Sequence, residues 1–406
     1  MEMLRPSFCT KLPKRTFTRV ASPGVQTAAS SAPPIRHVAP TPVPEWASPE
    51  ARIAVEGLLK RWYAYEAEPR PATEYVQTFD RNQVGLLRVL VEGMIPLQRK
   101  FQREQERSVR GRQSESSSTL TMSGADGLLG QLKHLPLESK LLQPAEHLVF
   151  FTPRVPVAAL APDGSDPTFS PPGGVFTRRM WAGGQMDFLE QDALHIGAVV
   201  REQTYVEDAL VKRLGDGSGE EMLVVWLRKE YSVQERLVLL DRRSWVFRKA
   251  LSASSSDAAK PAETTTTITT QTEAPAQVAS RSVELVHSPA ALFRFSALTF
   301  NAHQIHLDSS WARTVERHAD VVVHGPLNIL LLVRFWLAEE KERSNGAPAR
   351  RMKSVSYRAK SAICANEPYR LVKLQAQTSE GREVVQAVRS DSGKVIMEAF
   401  IESVEA

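Results

Sequence analysis

Apolar and polar residues alternate along much of the second half of the chain, and this period of two predicts antiparallel strands. Between residues 394 and 404, Val395, Met397, Ala399 and Ile401 occupy every second position, as expected for a strand with one buried face. Similar runs predict strands at 353–363, 369–377 and 382–389. Residues 326–340, which precede them, are nearly all apolar, and this predicts a helix enclosed by other elements.

The first half carries shorter apolar or alternating runs between residues 147 and 251, separated by Gly, Pro and Asp. They predict a sheet of four or five antiparallel strands, from the runs 147–156, 178–188, 196–214, 221–233 and 243–251. Upstream, Ser48 followed by Pro49 predicts the start of a helix. Asp80, with Gln83 three residues later, predicts a second helix that opens with a capping box.

Two internal segments are too polar to supply a hydrophobic core. Residues 102–127 are charged and rich in Ser, which predicts a disordered insert, followed by a short helix over 128–142. Residues 251–280 consist largely of Ser, Thr and Ala and are typical of a flexible linker. The predicted organisation is a disordered start at 1–44, an N-terminal module at 45–250, the linker at 251–280 and a C-terminal module at 281–406.

The excess of positive charge lies in the first 44 residues, which hold six basic residues and one acid. Without them, the 51 basic and 46 acidic residues of the chain become 45 of each. A basic, Ser-, Thr- and Ala-rich N-terminus with few acids is typical of a mitochondrial transit peptide, the alternative being an ordinary disordered start. The balanced remainder has no cluster of basic and aromatic residues of the kind that binds nucleic acid.

Other function classes are excluded by length and residue usage. No apolar run reaches the roughly 20 residues that a membrane-spanning helix needs, and the longest, at 327–337, contains Arg334. Cys9 and Cys364 are the only cysteines, so a disulfide framework is excluded.

The main candidate for chemistry is the segment FSALTFNAHQIHLD at 295–308, which contains Asn301, His303, His306 and Asp308. Addition or elimination of water requires one group that moves a proton at carbon and another that holds the oxygen. An imidazole suits the first task because its ordinary pKa lies near neutral pH. Gly325 and Pro326 then open the apolar helix, where backbone N–H groups have no partner within the helix.

Three segments together resemble the MaoC-type hydratase/dehydratase family, and within it the fungal mitochondrial hydroxyacyl-thioester dehydratases of type 2. They are RRMWAGGQMDF at 178–188, FRFSALTFNAHQIHLD at 293–308 and VVVHGPL at 321–327. The resemblance covers about 147–250 and 283–406. It implies an α+β double hot-dog fold, in which each module is a curved antiparallel sheet wrapped around a central helix, with a non-catalytic N-terminal and a catalytic C-terminal module.

The resemblance also implies a reaction, the elimination of water from an (R)-3-hydroxyacyl thioester to give a trans-2-enoyl thioester. In this family an Asp precedes the catalytic His by five residues, and an acidic residue follows it by two. The matching positions are Asn301, His306 and Asp308, so an amide stands in place of the usual carboxylate. An amide does not accept a proton near neutral pH, so the acid/base work falls to His306 and orientation of the hydroxyl or water to Asn301. Choosing His303 as the base would place Leu298, which has no such chemistry, at the Asp position.

Stabilisation of the thioester oxygen is expected from the start of the apolar helix. The backbone N–H of Gly325 forms the oxyanion hole, and the missing side chain lets the substrate approach closely. No metal or redox cofactor is expected. A metal site built from His303, His306 and His324 is disfavoured because no Cys and no HExxH partner accompany them in the sequence.

The partner implied by the resemblance is an acyl carrier protein or a coenzyme A thioester, within mitochondrial type II fatty acid synthesis in the matrix. Arg350, Arg351, Lys353 and Arg358 form a basic cluster that is either a solvated surface or a docking site for the acidic carrier or for a phosphopantetheine phosphate. The chain is expected to be a monomer, in which the two modules take the place of two subunits, or a homodimer.

Two other functions stay open. A coenzyme A-specific hydratase for mesaconyl or itaconyl thioesters needs an Arg that converges on the acyl pocket, and the sequence does not place Arg294, Arg313 or Arg358 relative to that pocket. A non-catalytic hot-dog protein that only binds acyl chains or a partner is favoured if His306 is buried and hydrogen-bonded away from any cleft.

Overall fold

Ten strands form one continuous antiparallel sheet in the computed structural model, which describes residues 40–62, 70–92, 94, 140–215, 217–251, 279–344 and 350–405. The strands are β1 (Thr73–Thr78), β2 (Phe176–Phe188), β3 (Val199–Arg213), β4 (Glu221–Val233), β5 (Arg236–Lys249), β6 (Ala279–Leu285), β7 (Arg350–Ala359), β8 (Tyr369–Gln377), β9 (Glu383–Arg389) and β10 (Val395–Glu405). The helices are α1 (Pro49–Trp62), α2 (Arg81–Glu92), α3 (Pro289–Thr299), α4 (Ser309–Thr314) and α5 (Gly325–Arg343).

The two halves of the sheet repeat the same strand order about a central junction. The order is β1-β3-β4-β5-β2-β7-β10-β9-β8-β6, so β1 to β5 form one side and β6 to β10 the other. At the junction β2 pairs with β7 in a register that runs from Gly183 opposite Arg358 to Asp187 opposite Ser354. This is the α+β double hot-dog fold that the resemblance implied.

Helix α5 fills the C-terminal half of the sheet, as its sequence predicts. It is 19 residues long, and the consecutive residues from Leu327 to Val333 are all buried. In the N-terminal half, the shorter helix α2 enters the same hydrophobic core through Val84, Leu87 and Val91. One core therefore runs through both halves. A helix enclosed on every side has no polar face, and this explains why α5 lacks amphipathic periodicity.

Helix α1 packs on the opposite face of the N-terminal half. Ala51, Ala54, Val55 and Leu58 join a second core with inward-facing residues of β3, β4 and β5. The helix begins as predicted, because the backbone N–H of Ala51 donates to Ser48 Oγ at 3.2 Å. Both faces of this half are therefore covered, which is consistent with its long apolar runs.

In the N-terminal half one predicted strand is wrong and one observed strand was not predicted. Residues 147–156 are not a strand, because the chain forms a short 3₁₀ helix at Glu146–Val149 and then a turn in which Phe151 has a φ of 52°. Pro153 and Pro156 lack the N–H that a strand ladder needs. Strand β1 was not predicted, and its six residues form the edge of the sheet beside β3. The predicted insert at 102–127 and nearly all of the linker lie outside the described residues, as does most of the short helix predicted over 128–142.

The capping box of α2 is only half correct. The backbone N–H of Gln83 donates to Asp80 Oδ1 at 2.8 Å, as predicted. The Gln83 side chain does not reach back to the cap, because its Nε2 donates instead to the carbonyl oxygens of Val149 and Leu298, at 2.9 and 2.6 Å. Gln83 thus links α2 to both halves of the molecule.

A buried ion pair also connects the two halves, and its loss should destabilise the fold. Glu146 is fully buried and binds Arg88 of α2 at 2.8 Å and Arg334 of α5 at 2.7 Å. We expect Glu146→Gln to lower the free energy of unfolding by about 3–5 kcal/mol, because Arg88 and Arg334 both lose a charged partner that is fully buried. Urea unfolding measures this, with the exposed Glu50→Gln as control. If Glu146→Gln and Glu50→Gln lowered the free energy of unfolding equally, the ion pairs of Glu146 would not stabilise the fold as expected.

Candidate active site

The predicted catalytic segment forms a loop between α3 and α4. Helix α3 ends where Phe300 adopts a left-handed conformation with a φ of 49°. The backbone N–H of Asn301 then returns to the carbonyl oxygen of Ser296 at 2.9 Å. The Asn301 Oδ1 accepts the backbone N–H of His303 at 3.1 Å, a local turn typical of asparagine. The loop is therefore fixed by its own sequence.

His306 is held in a single tautomer. The ring is buried, and its Nδ1 lies 2.7 Å from the carbonyl oxygen of Val322. A carbonyl oxygen only accepts hydrogen bonds, so Nδ1 carries the hydrogen and Nε2 carries the lone pair. His306 also lines the central cavity. The ring therefore has a basic nitrogen that is not used by the fold.

Burial keeps His306 neutral. Desolvation, and after it the nearby charge of His303, lower the pKa of His306 to about 3. Burial and the neighbouring His306 and His303 rings also lower the pKa of His324. The His306 and His324 rings stack with centroids 3.7 Å apart. Two imidazolium ions would repel each other at this distance, so the stacked pair is consistent with two neutral rings.

The first turn of α5 lies against strand β2 of the other half. A β-carbon added to Gly325 would lie 2.8 Å from the Cβ and Cγ of Trp181. Gly325 is therefore required first by the packing of Trp181, and not only by the approach of a substrate as the sequence suggested. Asn328 in the same turn is buried, and its Oδ1 has no hydrogen-bond partner among the described residues. Gly325, Asn328 and Trp181 all line the central cavity.

The central cavity has a volume of about 510 Å³ and is built from both halves of the molecule. This size is in the range expected for small-molecule sites. Its apolar walls include Leu148, Phe150 and Phe151 from the N-terminal half and Ile396 and Met397 from β10. The predicted residues Asn301, His306 and Gly325 meet at this cavity. His306 is therefore buried but is not directed away from a cleft.

A loop of the N-terminal half holds the catalytic loop from the other side. Asp163 Oδ2 lies 3.2 Å from His303 Nε2, and the carbonyl oxygen of Asp163 accepts the backbone N–H of Gln304 at 2.8 Å. Gly164 has a φ of +77°, and a β-carbon there would lie 2.1 Å from the carbonyl oxygen of Ala302. In the sequence, Asp163-Gly164 indicates only a turn. Nothing in the sequence connects this turn to His303, which lies 140 residues further along the chain.

Arg179 is a cavity residue that the sequence analysis did not consider. It projects from β2, donates from Nη1 to the carbonyl oxygen of Asp166 at 2.9 Å and lies over the Trp245 ring at 4.9 Å. Arg243 also lines the cavity, but Asp241 binds its guanidinium at 2.6 Å. The three arginines considered from the sequence, Arg294, Arg313 and Arg358, are exposed and do not line the cavity.

Most of the predicted basic cluster is occupied by ion pairs within the chain. Arg350 binds Glu340 at 2.7 Å and Glu383 at 2.9 Å, and hydrogen bonds to Glu340, ahead of those to Glu383, raise its pKa. Arg351 pairs with Asp192 at 3.1 Å and Lys353 with Glu402 at 2.6 Å. Arg358 is exposed and has no ion pair among the described residues. Glu340 is only ten residues from Arg350, but Asp192 and Glu402 lie far from their partners in the sequence, so those two pairings were not predictable from it.

Asp308 caps a helix instead of facing the cavity. Its Oδ1 accepts the backbone N–H groups of Ser310 and Trp311 at 2.8 and 3.1 Å, at the start of α4.

In the part of the chain that the structure describes, no three His, Cys, Asp or Glu side chains converge as a metal site would require. No helix in the same part is long and apolar enough to cross a membrane.

The lowered pKa of His306 has a measurable consequence. His306 acts as a base only when neutral, and a pKa lowered from 6.5 to about 3 extends the neutral form to more acidic pH. We expect kcat/KM to stay constant as the pH falls from 8 to about 5. Rates from stopped assays across this range measure kcat/KM, and circular dichroism verifies that the protein stays folded. An acid limb centred near 6.5 would show that His306 titrates as an ordinary surface histidine.

Comparison with known proteins connects this site to a family. The sequence model of hydroxyacyl-thioester dehydratase type 2 matches residues 145–365. The mesaconyl-C(4)-CoA hydratase of Chloroflexus aurantiacus is 29% identical over 264 residues, which are 62% of this chain and 84% of that protein. The mitochondrial hydroxyacyl-thioester dehydratase type 2 of Schizosaccharomyces pombe is 25% identical over 269 residues, 59% of this chain and 82% of that protein.

A solved structure supports the fold. The crystal structure of a MaoC-like dehydratase from Phytophthora capsici superposes with a TM-score of 0.50 at 14% identity, over 83% of this chain and 97% of the other. At this identity the likeness concerns the fold alone. The family match spans more than half of the 406 residues and includes the loop of His306 and the start of α5. The chain therefore belongs to the hydroxyacyl-thioester dehydratase type 2 family of hydro-lyases.

Proposed function

We propose that this enzyme interconverts 3-hydroxyacyl thioesters and trans-2-enoyl thioesters, with His306 as the base that removes the C2 proton. The observation that carries the proposal is the hydrogen bond from His306 Nδ1 to the carbonyl oxygen of Val322, which leaves the lone pair on Nε2. A neutral imidazole that is held in one tautomer at a cavity is suited to proton transfer. The alternative of a purely acyl-binding protein gives no role to this arrangement.

The thioester oxygen is proposed to bind at the start of α5. Removal of the C2 proton places negative charge on this oxygen, and backbone N–H groups at a helix N-terminus stabilise such charge. Gly325 is the first residue of α5, and Pro326 after it has no N–H, so the N–H of Gly325 is the donor that we assign. Asn301 lines the same cavity and is proposed to orient the 3-hydroxyl through its side-chain amide.

The natural substrate is proposed to be an acyl-carrier-protein thioester in mitochondrial fatty acid synthesis. Support comes from the mitochondrial relative of Schizosaccharomyces pombe, from the basic N-terminal segment of the sequence and from the apolar cavity walls. We propose that the exposed Arg358 contacts the carrier or its phosphate. Imaging of the full chain with a C-terminal fluorescent protein tests the mitochondrial location, and a diffuse signal would contradict it.

A coenzyme A thioester with a second carboxylate is the other candidate substrate. Arg179 favours it, because a guanidinium that lines the cavity is suited to bind a carboxylate. The relative from Chloroflexus aurantiacus is named for a mesaconyl thioester, which has such a group. Turnover of the full chain with butenoyl and mesaconyl thioesters, each on coenzyme A and on carrier protein, separates the candidates. Absence of turnover with all four thioesters would contradict the proposed reaction.

Asn301→Asp tests the role of the amide. If Asn301 holds the hydroxyl and does not transfer protons, the carboxylate variant should keep at least about one tenth of wild-type kcat, because the oxygen that accepts the His303 N–H is retained. The added carboxylate should also introduce a new acid limb in the pH profile. Steady-state kinetics between pH 4.5 and 8.5 measure both. A complete loss of activity would show that the amide N–H is indispensable.

A further inference from the structure

The amide at position 301 leaves one step of the proposed reaction without a proton donor. Hydroxide is a poor leaving group, and its departure from C3 requires a proton. Asn301 has no acidic proton. His306, once it has taken the C2 proton, would have to deliver that proton to a different atom of the substrate. A second acid at the cavity would remove this difficulty.

His303 is located where such an acid is needed. Its ring lines the cavity and lies with its centroid 5.6 Å from that of His306, nearly perpendicular to it. The Nε2 atom faces Asp163 Oδ2 at 3.2 Å, and both side chains are largely buried. Because Nε2 is directed at the carboxylate, Nδ1 is the nitrogen that can exchange a proton with a substrate.

Asp163 is itself fixed as an anion. Burial alone would raise the pKa of Asp163, but hydrogen bonds from His303 and Ser165, together with the charge of His303, lower it overall. Its Oδ1 accepts the backbone N–H of Ser165 at 2.9 Å. A buried carboxylate beside an imidazole stabilises the imidazolium form and orients the ring.

Arg179, His324 and His318, which also line the cavity, do not suit this role. Arg179 holds its proton too strongly to act as an acid near neutral pH. His324 Nε2 is bound to Ser296 Oγ at 2.8 Å, and burial lowers the pKa of His324 and of His318, so both rings are neutral. Asp163, contributed by the N-terminal half, is the carboxylate that hydrogen-bonds to a histidine of the catalytic loop.

We propose that His303, held by Asp163, is a second catalytic residue that protonates the departing hydroxyl group while His306 removes the C2 proton. Asp163 is the positioning residue. The C2–H bond breaks and its proton goes to His306 Nε2, while its electron pair forms the C2–C3 double bond. The C3–O bond breaks and the oxygen takes the proton from His303 Nδ1 to leave as water. The proton on His306 then passes through solvent to His303, and hydration follows the reverse course.

The inference rests on the proposed function, and a change of leaving group tests it separately. Chloride leaves without a proton, so 3-chlorobutanoyl-CoA needs His306 but not His303, whereas (R)-3-hydroxybutanoyl-CoA needs both. We expect His303→Gln and Asp163→Asn to lower kcat with the hydroxy substrate by about 10²–10⁴-fold and to leave chloride elimination close to the wild-type rate. His306→Ala should lose both reactions. Absorbance of the enoyl thioester reports each rate in the full-length protein.

Controls separate catalysis from structure. His195→Gln changes an exposed histidine and should behave as wild type. Asp163→Asn keeps the oxygen that accepts the Ser165 N–H, so a merely structural role would survive this change. Equal losses on both substrates, or unchanged hydroxyl elimination in His303→Gln, would overturn the assignment. Inactive wild type on both substrates would overturn the proposed function itself.

Discussion

Replacement of His306 by Ala should lower kcat for hydration of a trans-2-enoyl thioester by at least about 10³-fold, because the base at C2 is removed. The fold should persist. The ring makes one hydrogen bond to the backbone, to the Val322 carbonyl, and water in the adjoining cavity can replace that donor. Initial rates at saturating substrate measure the loss, and thermal unfolding measures the fold.

Added imidazole separates a chemical from a structural role in the His306→Ala variant. The substitution leaves a space beside the cavity, and free imidazole should enter it and restore part of the activity in a concentration-dependent way. If the variant lost activity because of a structural defect, added imidazole would not restore it. The exposed His195→Gln serves as the matched histidine control. Near wild-type turnover in His306→Ala would remove this residue from the mechanism.

Gly325→Ala should give the second largest loss, about 10²–10³-fold in kcat, because it displaces the donor proposed for the thioester oxygen. The new methyl group would lie 2.8 Å from Trp181, whose Cβ and Cγ are close to the backbone of β2 and cannot turn aside. The start of α5 must therefore move. Comparison of kcat and KM measures the effect, and a loss confined to KM would contradict a role in the transition state.

Gly85→Ala is the matched control for this substitution. Gly85 lies inside α2, and nothing lies within 4 Å of the position that its β-carbon would take. Alanine should therefore stabilise the protein by about 0.5–1 kcal/mol, through its better helix propensity, and leave kcat unchanged. A similar loss of activity in both variants would indicate a general effect of glycine replacement.

Regular elements with a clear period were predictable from the sequence. Strand β4 at Glu221–Val233 and β8 at Tyr369–Gln377 have the predicted bounds, because each is a short, largely apolar run that ends at turn residues. The apolar run that became α5 was equally clear. The strand predicted at 147–156 is absent. Apolar side chains of this segment line the cavity or join the hydrophobic core, although its backbone does not form a strand. Apolar content reports burial, and it does not by itself report backbone conformation.

The candidate site was predictable only where the chemistry lies within one segment. Asn301, His306 and Gly325 belong to two short motifs and meet at the cavity. Arg179 and Trp181 reach the same cavity from the other half of the chain, and Asp163 reaches the His303 ring. Only the folded sheet brings these residues together. The basic residues of β7 show the same limit, since Asp192 and Glu402, the partners of Arg351 and Lys353, are distant in sequence.

The N-terminal half contributes more to the site than a wall for the acyl chain. Trp181 fixes the start of α5, and Asp163 holds the loop that carries both histidines. A single chain with two different halves can place different residues on the two sides of one cavity, which two identical subunits cannot do. This asymmetry allows Asp163 of one half to hold His303 of the other, as the proposed second proton donor requires.

Hydration in heavy water tests the central claim most directly. Full-length protein is incubated with trans-2-butenoyl-CoA in D₂O, and the product is analysed by mass spectrometry and NMR. We expect a 3-hydroxybutanoyl thioester with one deuterium at C2, formed by wild type and not by His306→Ala. Binding of the enoyl thioester without any turnover by the wild-type protein would contradict a hydro-lyase that operates through His306.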